Sequence, residues 1–249
     1  MKRRLLPLLA LFAAGAAHAA DRSVTHVVLP GMARTAWFLC DVLNAPAAVI
    51  VGKPGPDGKA QIALIAKAGG APPVVKLYGI GRADPGAGQI YWPLRRWGKE
   101  AGNLHAFNPG MLDPGMVTTP SFVSMRLDTA DYQCRWLARS RLVGVGARHS
   151  VVVRAGKDGA LLYESFDHGA NAPLRKPDGV QRSTVPSLQI GGGVESRDGK
   201  GGTVFRFARR EHVYSVHVPA MGQAWAEVTR AGRSLSREPL LAWTFAPRP

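Results

Sequence analysis

The residues with the clearest capacity for binding chemistry lie in one stretch, residues 91–99 (YWPLRRWGK). Aromatic rings stack on the faces of sugars or bases, and arginine pairs with phosphate or carboxylate groups. The candidate binding residues are Tyr91, Trp92, Arg95, Arg96 and Trp97. The alternative is structural, because Tyr91 and Trp92 alternate on a predicted strand and one of them is expected in a core. In that case Trp97 stacks on an arginine within a packed basic edge.

The histidines do not form a local catalytic or metal-binding pattern. His212 and His217 lie five residues apart on one predicted strand, so their side chains are expected on opposite faces. The pair Asp167-His168 could orient an imidazole as a base, but neighbours on a strand also diverge. His105 is expected in a loop and exposed. An enzyme would need His105, Asp167 and His168 to converge in one cleft, so we expect no catalysis here.

Other signatures are missing as well. The chain contains no Gly-x-Ser-x-Gly sequence for a serine nucleophile, and no cysteine has a metal-ligand partner at C-x-x-C or C-x-x-H spacing. The glycines at 191–193 do not follow a strand that leads into a helix, which a phosphate-binding loop requires. We therefore predict a non-catalytic protein with no metal ion and no cofactor.

The charge of the chain favours an anionic ligand. Lysine and arginine number 32 against 17 acidic residues, a net charge of +15. Without the three cations of residues 1–19 the balance is 29 − 17 = +12. Such a surface attracts anions; alternatively, the charge only maintains solubility. No nucleic-acid-binding motif is present, so the expected partner is an anionic envelope glycan or a protein and not a nucleic acid.

The N-terminus predicts export. Residues 2–4 (KRR) give a positive start, residues 5–14 are apolar apart from Pro7, and Ala17-His18-Ala19 supplies small residues for cleavage. About ten apolar residues are too few for a membrane span, which needs roughly twenty. Residues 1–19 are therefore a predicted signal peptide, and the protein is expected in the periplasm or outside the cell with no integral membrane segment after cleavage.

The expected location bears on how the two cysteines, Cys40 and Cys134, are paired. In an oxidising compartment an even pair of cysteines usually forms one disulfide. We expect Cys40 and Cys134 to be bridged within the chain; an intermolecular link and two free thiols are the alternatives.

The elements that would position these residues are strands. Short β-branched or alternating runs are separated by Gly, Pro, Asp and Asn, as in antiparallel hairpins. The predicted hairpin pairs are 48–53 with 60–67, 74–80 with 89–94, 149–154 with 160–166, 203–207 with 212–218, and 224–230 with the final strands up to about 245. Phe205 and Phe207 alternate with Val204, Arg206 and Ala208 and are expected to face a core.

The predicted fold is all-β, with antiparallel hairpins in a sandwich or a small barrel and few short helical turns. Only residues 34–44 and 131–140 are candidates for a helical turn or irregular segment. The Gly/Pro-rich segment 101–120 is the candidate connection between an N-terminal β unit (20–100) and a C-terminal antiparallel β unit (121–249). A segment with Trp and Cys, followed by an Asp-Gly hairpin, occurs twice, once from Trp37 and once from Tyr132. The two copies have either arisen by duplication, or they reflect turn residues that recur in any all-β protein.

The C-terminal hairpins resemble part of the bacterial periplasmic lysozyme-inhibitor-like domains, which are small antiparallel β-barrels. The resemblance rests on Gly201-Gly202, Phe205-Arg206-Phe207, Val213-Tyr214-Ser215-Val216, Trp225 and residues 228–233 (VTRAGR). It implies a barrel and, as an alternative function, inhibition of a cell-wall enzyme such as a lysozyme. The Ser-Gly-x-x-Tyr stretch of that family is absent, and a basic protein would repel basic lysozymes. A periplasmic enzyme with a discontinuous site is the third possibility.

Overall fold

The computed structural model describes residues 22–67, 71–113, 115–169 and 185–248. The predicted signal peptide, residues 1–19, lies outside the described residues. The described chain is an antiparallel β protein, as the sequence predicts. Eighteen strands follow one another, each pairing mainly with its neighbours in sequence.

Ten strands form the N-terminal sheet, which closes into a ring at its two ends. They are β1 (Val24–Val27), β2 (Thr35–Asp41), β3 (Ala47–Gly52), β4 (Lys59–Ala66), β5 (Val74–Ile80), β6 (Asp84–Gly86), β7 (Gln89–Arg96), β8 (Lys99–Phe107), β9 (Phe122–Leu127) and β10 (Ala130–Gln133). Just beyond β10, Cys134 forms a bridge with Val42 at the end of β2. The predicted disulfide joins Cys40 to Cys134 at the same place. The ring is thus closed by backbone pairing and by a covalent bond.

Eight strands form a closed C-terminal barrel. They are β11 (Ser140–Gly146), β12 (His149–Ala155), β13 (Leu161–Asp167), β14 (Leu188–Arg197), β15 (Thr203–Arg209), β16 (His212–Val218), β17 (Trp225–Arg230) and β18 (Arg233–Phe245). The barrel closes because β11 pairs with β12 on one side and with β18 on the other. The residues that carry the lysozyme-inhibitor resemblance lie in β15 to β18 and their connections.

The last strand also joins the barrel to the N-terminal sheet. The first half of β18 pairs with β17. Its second half lies between β11 and β1, with Phe245 opposite both Leu142 and Val24. One 13-residue strand thus belongs to both parts of the molecule.

Each part has its own core. Phe38, Tyr78, Leu104 and Phe122 are buried inside the N-terminal sheet. Inside the barrel the core includes Phe205 and Phe207, each with no exposed surface, which confirms their predicted direction. Inward and outward residues alternate because successive side chains of a strand point to opposite faces.

Four of the five predicted hairpins are present. In the fifth, β5 pairs with β7 only at Gly79–Arg95 and Ile80–Leu94, and the predicted turn residues 84–86 form β6, which pairs with β7.

Two of the four hairpins have the same turn. Asp57 and Asp158 each accept a hydrogen bond from the backbone N–H two residues ahead, at 3.1 Å. In each turn the glycine after the aspartate has a positive φ, 71° at Gly58 and 79° at Gly159. Glycine adopts this conformation without strain, and this accounts for the Asp-Gly pair in both hairpins.

Of the two segments predicted as helical or irregular turns, 34–44 is mostly extended, whereas 131–140 is extended only at its start and is irregular over 135–139. Residues 35–41 form β2, and residues 130–133 form β10. The prediction of a helical turn or irregular segment was wrong for most of 34–44, where β2 forms, and was confirmed as an irregular segment for 135–139. The described part of the segment 101–120 contains most of β8, which pairs with both β7 and β9, and a 3₁₀ turn at Pro109–Met111.

A buried ionic cluster lies where the two parts meet. Asp41 is fully buried and forms ion pairs with Lys67 and, at 2.7 Å, with Arg135. The Arg135 guanidinium also covers the ring of Phe166 on β13, 3.4 Å from its centre. Burial alone raises the pKa of Asp41, but the charges and hydrogen bonds of Lys67 and Arg135 outweigh this effect and hold the pKa at about 2. The cluster therefore links the closure of the ring to the barrel.

Candidate functional site

The five predicted binding residues do not share one surface. Trp92 packs inside the N-terminal sheet against Trp37 and Phe122, with ring centres 5.4 and 5.2 Å apart. Tyr91 and Arg95 are exposed on the outer face of β7. Tyr91 stacks on His105 at 4.4 Å, and His105 hydrogen-bonds with Ser124. The expectation that either Tyr91 or Trp92 is a core residue is therefore confirmed.

Arg96 and Trp97 lie together at the end of the N-terminal ring. Trp97 is 84% exposed at the tip of the β7–β8 turn, and the Arg96 guanidinium stacks 3.8 Å from the centre of its ring. Arg96 is also 3.6 Å from Asp128, to which Lys76 is bonded at 2.9 Å. These two residues keep the exposed aromatic and cationic character that the sequence predicts for binding.

One substitution separates the two interpretations of this stretch. We expect Trp97→Ala to change the free energy of unfolding by no more than about 1 kcal/mol, because an exposed cation–π contact contributes little more. Urea unfolding checks this. Weaker binding of an acidic oligosaccharide by the variant assigns ligand binding to this stretch, whereas unchanged binding leaves it a packed basic edge.

The residues considered for catalysis lie in separate places. His105 is on β8 in the N-terminal sheet, and Asp167 is exposed at the end of β13. His168 hydrogen-bonds at 2.9 Å with the hydroxyl of Ser150, which has no exposed surface. Burial, followed by the positive charge of Lys67, lowers the pKa of His168 to about 4. His105, Asp167 and His168 therefore do not come together in one catalytic site.

The strongest candidate site is a cavity of about 170 Å³ at one end of the closed barrel. We call it the barrel cavity. Its walls come from β12, β13, β14, β16, β17 and β18. The mouths of β-barrels are common ligand sites, since a ring of inward-pointing side chains surrounds one space there.

A carboxylate and an imidazole lie together in the wall of this cavity. Glu238 Oε1 accepts hydrogen bonds from the backbone N–H groups of Arg148 and His149, at 2.5 and 3.2 Å. Glu238 Oε2 accepts one from His149 Nδ1 at 2.7 Å. Burial raises the pKa of Glu238, but these donors and the neighbouring His149 together lower it below its ordinary value. The ionised carboxylate fixes the imidazole, and His149 Nε2 has no partner among the described residues.

Two tyrosines face the same cavity. The rings of Tyr163 and Tyr214 lie 5.9 Å apart, and Tyr163 also packs against Phe207 in the core below. Burial raises the pKa of Tyr163 to about 12; a hydrogen bond with Ser165 opposes this, and Tyr214 and Glu238 add to it. Its hydroxyl therefore stays protonated and can donate a hydrogen bond at any physiological pH.

The opposite end of the barrel is blocked by charged side chains. Arg141 and Arg248 both lie 3.1 Å from the carboxylate of Glu195. Arg141 also donates to the backbone carbonyl of Ala246 at 2.9 Å. An ion-paired cluster therefore occupies that end of the barrel.

Three described turns at the other end of the barrel are rich in arginine. The β13–β14 connection lies at that end as well, and its residues 170–184 are outside the described part of the chain. In an up-and-down barrel every second turn lies at the same end, and here these turns include 147–148, 209–212 and 230–233. We call their five exposed arginines the arginine rim: Arg148, Arg209, Arg210, Arg230 and Arg233. The one acid in the three turns is Glu211, which pairs with Arg230 at 2.8 Å. Arg148 donates a hydrogen bond at 3.1 Å to Ser236, which lines the cavity.

The sequence interpretation missed this site. Glu238 and His149 are 89 positions apart and belong to no sequence motif that would pair them. The arginine rim did have a signal, because consecutive predicted hairpins place alternate turns at one end. Counting the turns from residue 140 onward would have grouped the arginines at 148, 209, 210, 230 and 233.

Two structural properties of the described residues and the comparisons with known proteins also bear on this site. In the described residues no helix is long and apolar enough to cross a membrane. Within the same part of the chain, no three His, Cys, Asp or Glu side chains lie close enough together to hold a metal ion. No protein-family model, curated protein or solved structure matches this chain.

Proposed function

We propose that this is an exported, non-catalytic binding protein that takes an anionic ligand at the arginine-rich end of its C-terminal barrel. The observation that carries the proposal is the arginine rim at that end of the barrel. The three turns carry five guanidinium groups and one carboxylate, and arginine suits carboxylate and phosphate groups because its N–H groups match their geometry. An anionic envelope glycan is a ligand of this kind.

The position of these charges matters more than their number. The barrel end presents Arg209, Arg210 and Arg233 without an ion-pair partner among the described residues. Elsewhere on the chain some exposed cations are paired locally, as Lys59 is with Asp57 at 3.3 Å and Arg126 with Asp131 at 3.3 Å, while others, such as Lys53 and Arg82, have no ion-pair partner among the described residues. Unpaired cations around a cavity attract anions over about 10 Å at 0.1 M salt.

The other functions expected from the sequence have weaker support. Inhibition of a lysozyme-type enzyme rests on the resemblance alone, and a net positive barrel end opposes binding to a basic enzyme. Catalysis at a discontinuous site would have to use His149 and Glu238, because the three residues first considered lie apart. Neither function explains the arginine rim.

The test compares two double variants with the same change in charge. We expect Arg209→Gln/Arg233→Gln to weaken binding of a tetragalacturonate about tenfold at low salt, as exposed ion pairs contribute up to about 1 kcal/mol each. Lys53→Gln/Arg82→Gln removes two exposed charges from the N-terminal sheet and is expected to change binding less than twofold. Isothermal titration calorimetry measures both affinities.

Two outcomes would overturn the proposal. If both variants lose the same affinity, binding follows net charge and the barrel end has no special role. If the unaltered protein does not bind the tetragalacturonate at low salt, an acidic glycan is not its ligand.

A further inference from the structure

Strand β5 of the N-terminal sheet has a free edge over part of its length. One side of the strand pairs with β4 from Val74 to Gly79. The other side pairs with β7 only at Gly79 and Ile80. The pairing stops there because the chain leaves β7 in a two-residue hairpin turn at Trp97 and Gly98, with φ angles of 51° and 75°. The first part of β5 therefore extends past the tip of the β7–β8 hairpin.

Four backbone groups on this edge are unpaired in the described part of the chain. Gly81, just after β5, donates its N–H to Pro93 on the β7 side at 2.8 Å. Because alternate residues of a strand direct their N–H and C=O groups to the same side, those of Val75 and Leu77 also point to the β7 side. Neither residue forms a backbone hydrogen bond there with any described residue. Residues 68–70, which precede the strand, are outside the described part.

Exposed apolar side chains accompany these backbone groups. Leu77 is 53% exposed and Val75 is 36% exposed. Both lie on the outer face of the sheet, since Tyr78 between Leu77 and Gly79 points into the core. Val74, at the start of the strand, is 51% exposed. A free strand edge with exposed apolar side chains is the arrangement to which a sheet adds a further strand.

A second copy of this chain does not suit the edge. An antiparallel pair that satisfies all four backbone groups would set Val75 opposite Leu77 of the other copy and Lys76 opposite its own counterpart. Like charges directly opposite each other destabilise a strand pair. Two chains that each carry a net charge of +15 also repel each other. The structure therefore favours a segment of another protein.

The charges beside the edge indicate what this segment carries. Lys76 forms an ion pair with Asp128 at 2.9 Å, and Arg96 lies 3.6 Å from the same carboxylate. Two cations thus share one acid, and 39% of the Lys76 side chain is exposed. An acidic side chain opposite Lys76 would pair with this excess charge, while apolar side chains on either side of it would pack beside Val75 and Leu77.

We propose that the free edge of β5 binds an extended segment of another protein as an additional antiparallel strand, with the side-chain pattern apolar–acidic–apolar. Hydrogen bonds to the backbone of Val75 and Leu77 supply the affinity, and Lys76 supplies the preference for an acid. The inference goes beyond the proposed function, because the edge belongs to the N-terminal sheet and the arginine rim to the C-terminal barrel.

N-methylated peptides test the backbone pairing. Fluorescence anisotropy would measure binding of a labelled Ser-Ile-Glu-Ile-Ser peptide. In the proposed pairing its isoleucines lie opposite Val75 and Leu77 and donate their N–H groups to the protein, whereas the glutamate N–H points away. We expect N-methylation of both isoleucines to weaken binding at least about tenfold, because two hydrogen bonds are lost. N-methylation of the glutamate alone is expected to weaken binding less than about twofold, since that N–H has no acceptor on the protein.

The charge of the peptide tests the role of Lys76. A Ser-Ile-Lys-Ile-Ser peptide places a like charge opposite Lys76, and we expect it to bind about fivefold more weakly than the glutamate peptide. Lys76→Gln should reduce this difference. If the lysine peptide binds the unaltered protein as tightly as the glutamate peptide does, the edge has no preference for an acid and the proposed pattern is wrong.

Substitutions then locate the peptide on the edge. Val75→Pro removes an N–H that faces the free edge and none that bonds to β4, a change that edge strands tolerate, and we expect about a fivefold loss of affinity. Leu77→Thr keeps strand propensity and removes apolar surface, with an expected loss of about threefold even if Val75→Pro does not fold. The matched control is Leu235→Thr on β18, where Leu235 is 55% exposed, and it is expected to bind normally.

Three further results would overturn the inference. If the glutamate peptide does not bind, or binds no tighter than its isoleucine-methylated form, no strand is added at this edge. If the unaltered protein sediments as a dimer and Val75→Pro as a monomer, the occupant is a second copy of the chain. If the unaltered protein sediments with phosphatidylglycerol vesicles and Leu77→Thr does not, the exposed side chains contact lipid.

Discussion

Replacing Asp41 by asparagine is expected to lower the free energy of unfolding by about 3–5 kcal/mol, because the change leaves buried cations without their counter-charge. Lys67 and Arg135 have only 7% and 4% of their side chains exposed. Lys67 also donates to the Val42 carbonyl at 2.7 Å, so neither cation can turn to solvent without breaking local structure. Urea unfolding at pH 7 measures the loss.

An exposed ion pair gives the matched control. Asp131 lies 3.3 Å from Arg126 with 69% of its side chain exposed. Asp131→Asn removes the same type of charge, and we expect a loss below about 1 kcal/mol, as is usual for exposed pairs. If Asp41→Asn costs no more than this control, the buried cluster does not stabilise the fold.

The Asp41 cluster also sets a dependence on acid. The pKa of Asp41 is about 2 in the folded protein against an ordinary value of 3.8. A carboxyl with a lowered pKa stabilises the fold at pH values above its unfolded pKa, and this contribution is lost as the pH falls from about 4 towards 2. The unaltered protein should therefore lose more stability between pH 5 and pH 3 than Asp41→Asn does.

Removing the disulfide is expected to have an effect of similar size. Cys40 and Cys134 are 94 positions apart, and on the chain-entropy model a loop of that length is stabilised by about 4–5 kcal/mol. The test variant is Cys40→Ala/Cys134→Ala, since alanine adds no polar group where the cysteines are buried. Urea unfolding again measures the loss.

A reductant gives the control for this prediction. The unaltered protein unfolded in the presence of dithiothreitol should match the double variant, and the reductant should not change the variant itself. A difference of less than 1 kcal/mol between the oxidised protein and the variant would show that the backbone bridge between Val42 and Cys134 suffices to close the ring.

The two predictions concern the same place in the fold. The disulfide joins Cys40 to Cys134, and the ion pair joins the next residues, Asp41 and Arg135. Arg135 also contacts Phe166 on β13, the strand that contributes Tyr163 to the barrel cavity. The ring and the barrel are thus connected through a few buried groups near one end of β2.

Local pattern was enough to predict most of the strands. Alternation of side chains and Asp-Gly turns gave the hairpins around Asp57 and Asp158, and the direction of Phe205 and Phe207. These features depend on residues within about ten positions of one another, where backbone sterics and turn chemistry dominate. The cysteine pairing was also predictable, since the chain has only two cysteines.

The candidate site could be predicted only in part. The residue types from Tyr91 to Trp97 predicted one binding surface. Alternation of side chains along the strand instead places Trp92 in the core and leaves Tyr91 and Arg95 exposed on the outer face. The hairpin pattern predicts that β18 pairs with β17, but no local pattern reveals that the same strand also pairs with β11 and β1. That pairing depends on which distant strand edges find complementary partners, a property of the whole sheet.

By itself the sequence determined that this protein is built of antiparallel hairpins, carries an excess of arginine and has one pair of cysteines to bridge. The tertiary structure decided where those arginines gather and what they surround. Closing eight strands into a barrel brings His149, Tyr163 and Glu238 into one cavity and places alternate turns at the same end. The reason is geometric, because inward side chains from distant strands share a space only after the sheet has closed on itself.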